Sequence, residues 1–298
     1  MLANLGRAAE AAYALKSGAD GVGLFRTEFL FLNRNDAPAE DEQFEELRAL
    51  REAMDQRPVI IRTLDLGGDK DAPSLNLPAE INPSLGVRAI RLCLGRPDLF
   101  RAQLRAILRA GEGGNFRLMF PLISDPPELQ EALSELQSVH AALLSEGKPH
   151  AWPMPVGIMV EVPSAVVLIE QLVKTVDFLS VGTNDLAQYV LAADRDHPEL
   201  SRFQDPLHPA VLHLIREVVI AAHKHGKHVG VCGEAAADPK AARLLLGLGV
   251  DELSLAPALI PKIKDVIRST SRGEMEALSS RAQAFGAASE VRALFTGA

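Results

Sequence analysis

The stretch SVGTNDLAQYVLAADR, residues 180–195, sets an amide, a carboxylate and a guanidinium just beyond an apolar run. Asn184 and Asp185 are adjacent, and Arg195 follows eleven residues after the amide. Other apolar runs end in the same way. One closes on Arg26, and another carries Arg62, then Asp65, Gly67-Gly68 and Lys70. A third ends in Glu161 and a fourth in Cys232-Gly233-Glu234. The residue types define a chemistry. Arg26, Arg62 and Arg195 present paired donors that suit phosphate or carboxylate. Glu161 and Asp185 are hard oxygen ligands of the kind Mg²⁺ takes in ones or twos, its other positions going to substrate oxygens and water. Asn184 can donate to a substrate oxygen while accepting from a neighbour. Cys232 lies among small residues, where a thiol can reach a ligand. The substrate class is a small dianion or trianion accompanied by a divalent cation.

Each residue also has an ordinary structural role open to it. Arg26 and Arg62 can do no more than salt-bridge Glu28 or Asp65. Asp185 fits a helix N-cap, and Glu161, before Val162-Pro163, can cap the helix that follows. Cys232 can be a small buried hydrophobe. Cys93, within Arg91-Leu92-Cys93-Leu94, reads as helix packing, and His140, His223, His225 and His228 read as solvated faces. There is no Walker-type phosphate loop and no metal-type histidine pair. The functional reading rests on convergence: unlike polar groups close several separate runs.

Those runs are the elements that must position the chemistry. They are GVGLFR (21–26), VIIRTLD (59–65), FRLMFP (116–121), PVGIMVE (155–161), FLSVGTND (178–185), HVGVCGE (228–234) and ELSLAP (252–257). None alternates strictly, as expected of strands buried on both faces. Helices are predicted between them at Glu40–Met54, Pro126–Leu144 with Asp125 as N-cap, Pro163–Val173, Pro209–Lys224 and Pro239–Leu246. MLANLG reads as an eighth strand cut short at its start, followed by a helix over Arg7–Ser17. Eight strand–helix units predict an α/β fold, a (β/α)8 TIM barrel, with an open doubly wound sheet as the alternative. Arg272–Phe295 reads as a helical tail packed on the last unit. With no low-complexity linker inside the chain, residues 1–298 are expected to form one domain.

Composition narrows the partners. The 298 residues are 47% hydrophobic and only 5% aromatic, as in helices packed on a parallel sheet. A formal charge of −8 argues against nucleic acid or an anionic membrane surface. The two cysteines provide no disulfide framework, there is no apolar run of membrane-spanning length, and no secretory signal opens the chain. A cytoplasmic location is expected.

GLFRTEFLF (23–31), RTLDLGGDK (62–70), NPSLGVRAIR (82–91), FPLI (120–123), GIMVEVPSA (157–165), SVGTNDLAQY (180–189) and GVCGE (230–234) together are telling. In this order, from about Ala3 to about Arg268, they closely resemble the C-terminal phosphoenolpyruvate-binding domain of enzyme I of the bacterial sugar phosphotransferase system. The barrels of pyruvate phosphate dikinase and phosphoenolpyruvate synthase are related. The resemblance implies that Arg26 and Arg62 bind the phosphoryl group and that Glu161 and Asp185 hold Mg²⁺. It implies ligand contacts for Asn184 and Arg195, with Arg88 and Lys70 as second-tier candidates. Cys232 would be the acid that protonates C3 of the enolate. It further implies transfer to a histidine on a separate N-terminal domain, release of pyruvate, onward passage to a small phosphocarrier protein, and a homodimer. On this reading the chain is the catalytic C-terminal part, without the acceptor-histidine domain. Where the family continues Arg195 with Gly-Asn, this chain has Asp196-His197-Pro198. Other readings are a dikinase-type barrel, a metal-dependent lyase acting on a pyruvate-like enolate, and a ligand-sensing dimerisation module without turnover.

Overall fold

A computed structural model describes residues 1–67, 73–75, 77–78, 80–195 and 197–295. Eight parallel strands close into a barrel in sequence order: β1 Leu2–Leu5, β2 Val22–Arg26, β3 Val59–Arg62, β4 Phe116–Phe120, β5 Val156–Val160, β6 Phe178–Val181, β7 His228–Val231 and β8 Glu252–Leu255. The predicted TIM barrel is therefore the fold, and the open sheet is excluded. β1 spans Leu2–Leu5. Ala3 pairs with Val22 of β2 and with Leu255 of β8, so β1 closes the ring.

Each strand has two apolar faces for a physical reason. Outward residues such as Val22, Ile61, Leu118, Ile158 and Leu179 pack under the helices. Burying each such side chain contributes roughly 1.5–3 kcal/mol. Inward, Leu24, Ile60, Met119, Met159, Phe178 and Cys232 fill the barrel as a separate small cluster. The interior is thus packed below and left polar only near the strand ends.

Helices fall at Glu40–Met54 and Pro209–Lys224 as predicted. Asp125 caps Pro126–Ser145 by accepting from the Glu128 N–H at 2.9 Å. Three predicted helices are less regular. Pro163–Val173 breaks at Leu168 into Pro163–Val167 and Ile169–Leu172. Arg7–Ser17 is a 3₁₀ turn followed by Ala11–Lys16. The tail divides into Arg272–Ala282 and Ala288–Ala293. Its first helix lies against Pro239–Gly247, where a Cβ on Gly247 would come within 2.1 Å of the Met275 carbonyl. The helix Pro97–Ala110 has no counterpart among the predicted ones. Cys93 is buried in the helix Ala89–Gly95, in line with the packing role. Among the described residues no helix is long and apolar enough to cross a membrane.

Candidate active site

At the carboxyl ends of the strands a cavity of about 540 Å³ opens. Arg26, Arg62, Glu161, Asn184, Asp185, Arg195 and Cys232 all line it. Seven residues singled out by type in the sequence are therefore brought together. Lys70, Gly68 and Asp196 lie outside the described residues. Arg88 does not line the cavity.

The guanidiniums differ in their attachments. Arg62 is buried and bridges Glu28 at 2.6 Å and Asp65 at 2.9 Å, so its structural role is real. Burial opposes its charge, but Glu28 and Asp65 outweigh that and push its pKa up, so it stays cationic. Its backbone carbonyl is held by the Thr27 hydroxyl at 2.9 Å. Arg26 has no carboxylate partner among the described residues. Its guanidinium lies 4.8 Å over the Phe29 ring, and its Nε is buried without a hydrogen-bond partner. Arg88 is fully buried, with Nη2 2.8 Å from Asp65 and 3.5 Å from Asp185. It acts on the site through those carboxylates. Arg195 reaches Asp185 at 3.3 Å. The chain turns back for this at Ala192, which ends the helix Thr183–Leu191 in the left-handed region at φ 50°. A non-glycine residue there costs roughly 1–2 kcal/mol. Gln188 fixes the turn by accepting from the Arg195 N–H at 3.0 Å.

The capping alternatives do not hold for the two carboxylates. The helix Thr183–Leu191 has Gly182 at its N-cap, which makes Asp185 its third residue. Val162 is the N-cap of the helix after β5, and Glu161 faces the cavity instead. Glu161 Oε1 accepts from the Leu122 N–H at 2.7 Å, while Oε2 has no hydrogen-bond partner among the described residues. A Cβ on Gly182 would lie 2.6 Å from that Oε2, so only glycine leaves the carboxylate room. Burial first, then the charges of Asp185 and Asp65, push the Glu161 carboxyl up to about 8. A buried carboxylate close to Asp185 and Asp65, with one oxygen lacking a hydrogen-bond partner among the described residues, is a place where a cation is favoured. Glu161 and Asp185 therefore fit Mg²⁺. Among the described residues no group of three or more His, Cys, Asp or Glu side chains gathers for a metal, and Mg²⁺ needs only one or two.

Asn184 accepts from the Glu234 N–H at 3.0 Å through Oδ1, which leaves its amide N–H groups for a ligand. The Cys232 thiol accepts from the Ser180 hydroxyl at 3.3 Å. Burial pushes it up to about 11, with Ser180 and Arg62 pulling the other way. It is a thiol, not a thiolate, at neutral pH and so carries a proton to give. Asn4 was not legible in the sequence. From β1 it donates to the Cys232 carbonyl at 3.0 Å and accepts from the Ser254 hydroxyl at 2.6 Å, tying β1, β7 and β8 beside the thiol.

A barrel with cationic donors, paired hard carboxylates and a protonated thiol at its strand ends has the chemistry to take a small phosphorylated acid. Residues 1–272 match the family model described as PEP-utilising enzyme, PEP-binding domain, where PEP is phosphoenolpyruvate. The chain belongs to this family. It is 46% identical over 291 residues to a phosphoenolpyruvate-protein phosphotransferase of Staphylococcus carnosus, covering 98% of this chain and 51% of that protein. It is 48% identical over 276 residues to one of Priestia megaterium, covering 93% of this chain and 48% of that protein. The chain spans about half the length of the curated relatives it matches. Among solved structures it shares the fold of a citrate lyase from Burkholderia xenovorans, with TM-score 0.55, 16% identity, and coverage of 99% of this chain and 89% of that one. An aldolase/citrate lyase family protein from Burkholderia cenocepacia gives TM-score 0.51 and 19% identity, covering 90% of this chain and 91% of that one.

Proposed function

We propose that the chain is the phosphoenolpyruvate-binding catalytic domain of a cytoplasmic phosphoenolpyruvate-protein phosphotransferase. It takes the phosphoryl group from phosphoenolpyruvate to a histidine on an N-terminal domain and releases pyruvate, the first step of sugar phosphotransfer. The observation that carries this reading is the one cavity that gathers unpaired donors from Arg26 and Asn184, a free oxygen of Glu161 and a protonated Cys232.

Arg26 and Arg62 grip the phosphoryl oxygens, and Arg62 is held for this by Glu28 and Asp65. Charge on a moving phosphoryl group spreads over its oxygens, so fixed guanidiniums stabilise it without reorganising. Asn184 and Arg195 orient the rest of the ligand. Glu161 and Asp185 would hold Mg²⁺, with Arg88 positioning Asp185 from behind. When bound, the metal neutralises ligand charge and stabilises the enolate oxygen. Cys232 gives its proton to C3 of the enolate, which makes the transfer favourable. Lys70 is a further ligand contact on this reading. Residues 1–298 act as a single phosphoenolpyruvate-binding and dimerisation unit, and the N-terminal domain passes the phosphoryl group to a small phosphocarrier protein.

Calorimetric titration with phosphoenolpyruvate, with and without Mg²⁺, tests the site. Binding should depend on the metal and be lost in Glu161→Ala combined with Asp185→Ala. Binding indifferent to both changes refutes the assignment. Cys232→Ala should bind normally and fail to transfer to a supplied histidine domain.

A further inference from the structure

One half-buried carboxyl stands outside every role given so far. Glu252 opens β8 at the amino-terminal mouth of the barrel and makes no hydrogen bond or ion pair among the described residues. Ser254, two residues on, points inward to Asn4, so the two-residue strand period puts Glu252 on the same inner face. Across the sheet Ser180 of β6 pairs with Gly230 of β7, and Gly230 pairs with Glu252. The row therefore reads serine, glycine, glutamate, with a gap at its centre. The carboxyl leans over that gap, since a Cβ on Gly230 would lie 3.2 Å from Glu252 Oε1. On the far side the Ser180 hydroxyl already touches the Cys232 sulfur at 3.3 Å. Neighbouring strands lie about 4.8 Å apart, so Ser180 and Glu252 are roughly 10 Å apart between Cα atoms. A single water over Gly230 would bridge the two side chains.

The surroundings suit a proton carrier. Burial pushes Glu252 up to about 7, with the Met1 amino group and Arg117 pulling it down and Asp251 pushing it further. Its charge is in turn felt at Cys232, alongside those of Arg62 and Glu161. Glu252 keeps some solvent exposure at the amino-terminal mouth.

We propose that Glu252, a water seated over Gly230, and Ser180 form a proton relay that reloads Cys232 from the end of the barrel opposite the ligand. The relay rests on the reading of Cys232 as the acid. As the S–H bond breaks, the proton forms the new C–H bond at C3 and a thiolate remains. The Ser180 O–H then gives its proton to sulfur. The serine oxygen takes one from the water, and the water takes one from the Glu252 carboxylic acid. Solvent at the amino-terminal mouth reprotonates the carboxylate. The thiol is thus restored without admitting water through the ligand mouth, where it would compete with phosphoryl transfer.

The test measures phosphoenolpyruvate-dependent phosphorylation of a supplied histidine domain across pH. Glu252→Gln should lower kcat at least about tenfold, leave the KM for phosphoenolpyruvate unchanged, and remove the fall in kcat expected of the wild type above pH 7. Ser180→Ala should do the same, and Glu252→Asp should restore part of the rate. Cys232→Ala runs alongside. If it leaves transfer intact, the acid role fails and the relay with it. If Cys232→Ala abolishes transfer while Glu252→Gln keeps the wild-type rate and pH profile, the relay alone is overturned. A second readout needs no turnover. In a Cys93→Ser background, Glu252→Gln should speed iodoacetamide alkylation of Cys232 several-fold at pH 9. An unchanged rate means that thiol and carboxyl do not communicate, which also overturns the relay.

Discussion

Arg88 offers the sharpest test of how the site is held, because it shapes the cavity without lining it. Its guanidinium joins Asp65 at 2.8 Å to Asp185 at 3.5 Å, and it is fully buried. Arg88→Met keeps most of the side-chain volume and deletes the charge. Removing one partner of a buried ion pair costs about 3–5 kcal/mol when the other is left uncompensated. Here compensation is partial: Arg62 still holds Asp65 at 2.9 Å, and Arg195 still holds Asp185 at 3.3 Å. The expected loss is therefore at the lower end, about 3 kcal/mol. Unfolding entropy of about 2.1 cal/mol/K per residue gives about 0.6 kcal/mol/K for this chain, so Tm should fall by about 5 °C. The deficit should grow with pH. Glu161 is already pushed up to about 8, and Arg88 is one of the groups that hold it down. A carboxyl raised above its ordinary value lends stability fully below that ordinary value and loses it as pH rises through the folded value. Deleting Arg88 raises Glu161 further, so the variant falls behind most where the wild-type carboxyl is ionised. Scanning calorimetry at pH 5 and pH 9 checks this. A Tm within 1 °C of wild type at both pH values refutes the claim that Arg88 holds the carboxylates in place.

Three further outcomes follow from the same geometry. Gly182→Ala sets a methyl 2.6 Å from Glu161 Oε2 at an ordinary backbone φ of −87°. It should weaken metal-dependent phosphoenolpyruvate binding at least about tenfold with little change in Tm; unaltered titrations contradict the placement of Glu161. Mg²⁺ binding at pH 7 should release up to about one proton per chain, because Glu161 must ionise to coordinate. Titrations in buffers of different ionisation enthalpy read this directly, and zero release removes Glu161 from the metal. Glu252 sits above its ordinary range, at about 7, so its stabilising effect is lost as pH rises from about 4.5 through 7. Glu252→Gln should therefore gain about 1–2 kcal/mol, or about 2–3 °C, at pH 8 and nothing at pH 4, a modest figure because solvent screens part of the site. A loss of Tm at pH 8 contradicts the burial penalty.

The strands and most of the cavity were legible because a parallel barrel concentrates both signals. Its strands are apolar on two faces, and its chemistry falls at their carboxyl ends, so Arg26, Arg62, Glu161, Asn184, Asp185 and Cys232 announce themselves by position. Contacts that depend on closure were not legible. Asn4 looks like a polar interruption in a short apolar run, and only the β8–β1 pairing brings it to the Cys232 carbonyl. Arg88 is 97 residues from Asp185 in sequence and begins a helix, so nothing local marks it as a partner. Glu252 belongs to the same class: it stands at the wrong end of its strand for a catalytic residue, and its row with Gly230 and Ser180 exists only in the register of three strands. The capping alternative for Asp185 failed for a local reason, since Gly182 directly follows β6 as the N-cap and the helix begins at once with Thr183. For Arg62 the two readings were not rivals. One guanidinium is both the partner of Glu28 and Asp65 and a wall of the cavity.

That double role bears on why the proposed ligand calls for a divalent cation. Among the described residues, Glu28, Asp65, Glu161, Asp185 and Glu234 face Arg26, Arg62, Arg88 and Arg195, five acids against four bases. Fully ionised, the cluster is negative by one; with Glu161 protonated near pH 7 it is neutral. A phosphoenolpyruvate trianion would meet no reserve of positive charge there, and burying uncompensated charge in a cavity of low dielectric is strongly unfavourable. Mg²⁺ brings two positive charges and draws one proton from Glu161, so the site with metal and ligand carries less net negative charge than with the ligand alone. The ion pairs that lock Arg62 and Arg88 therefore do two things at once. They hold donors rigid before a ligand arrives, and they use up enough positive charge that, on the proposed function, the ligand should bind well only with its metal. Tight metal-free binding of the trianion by this site is incompatible with that charge count.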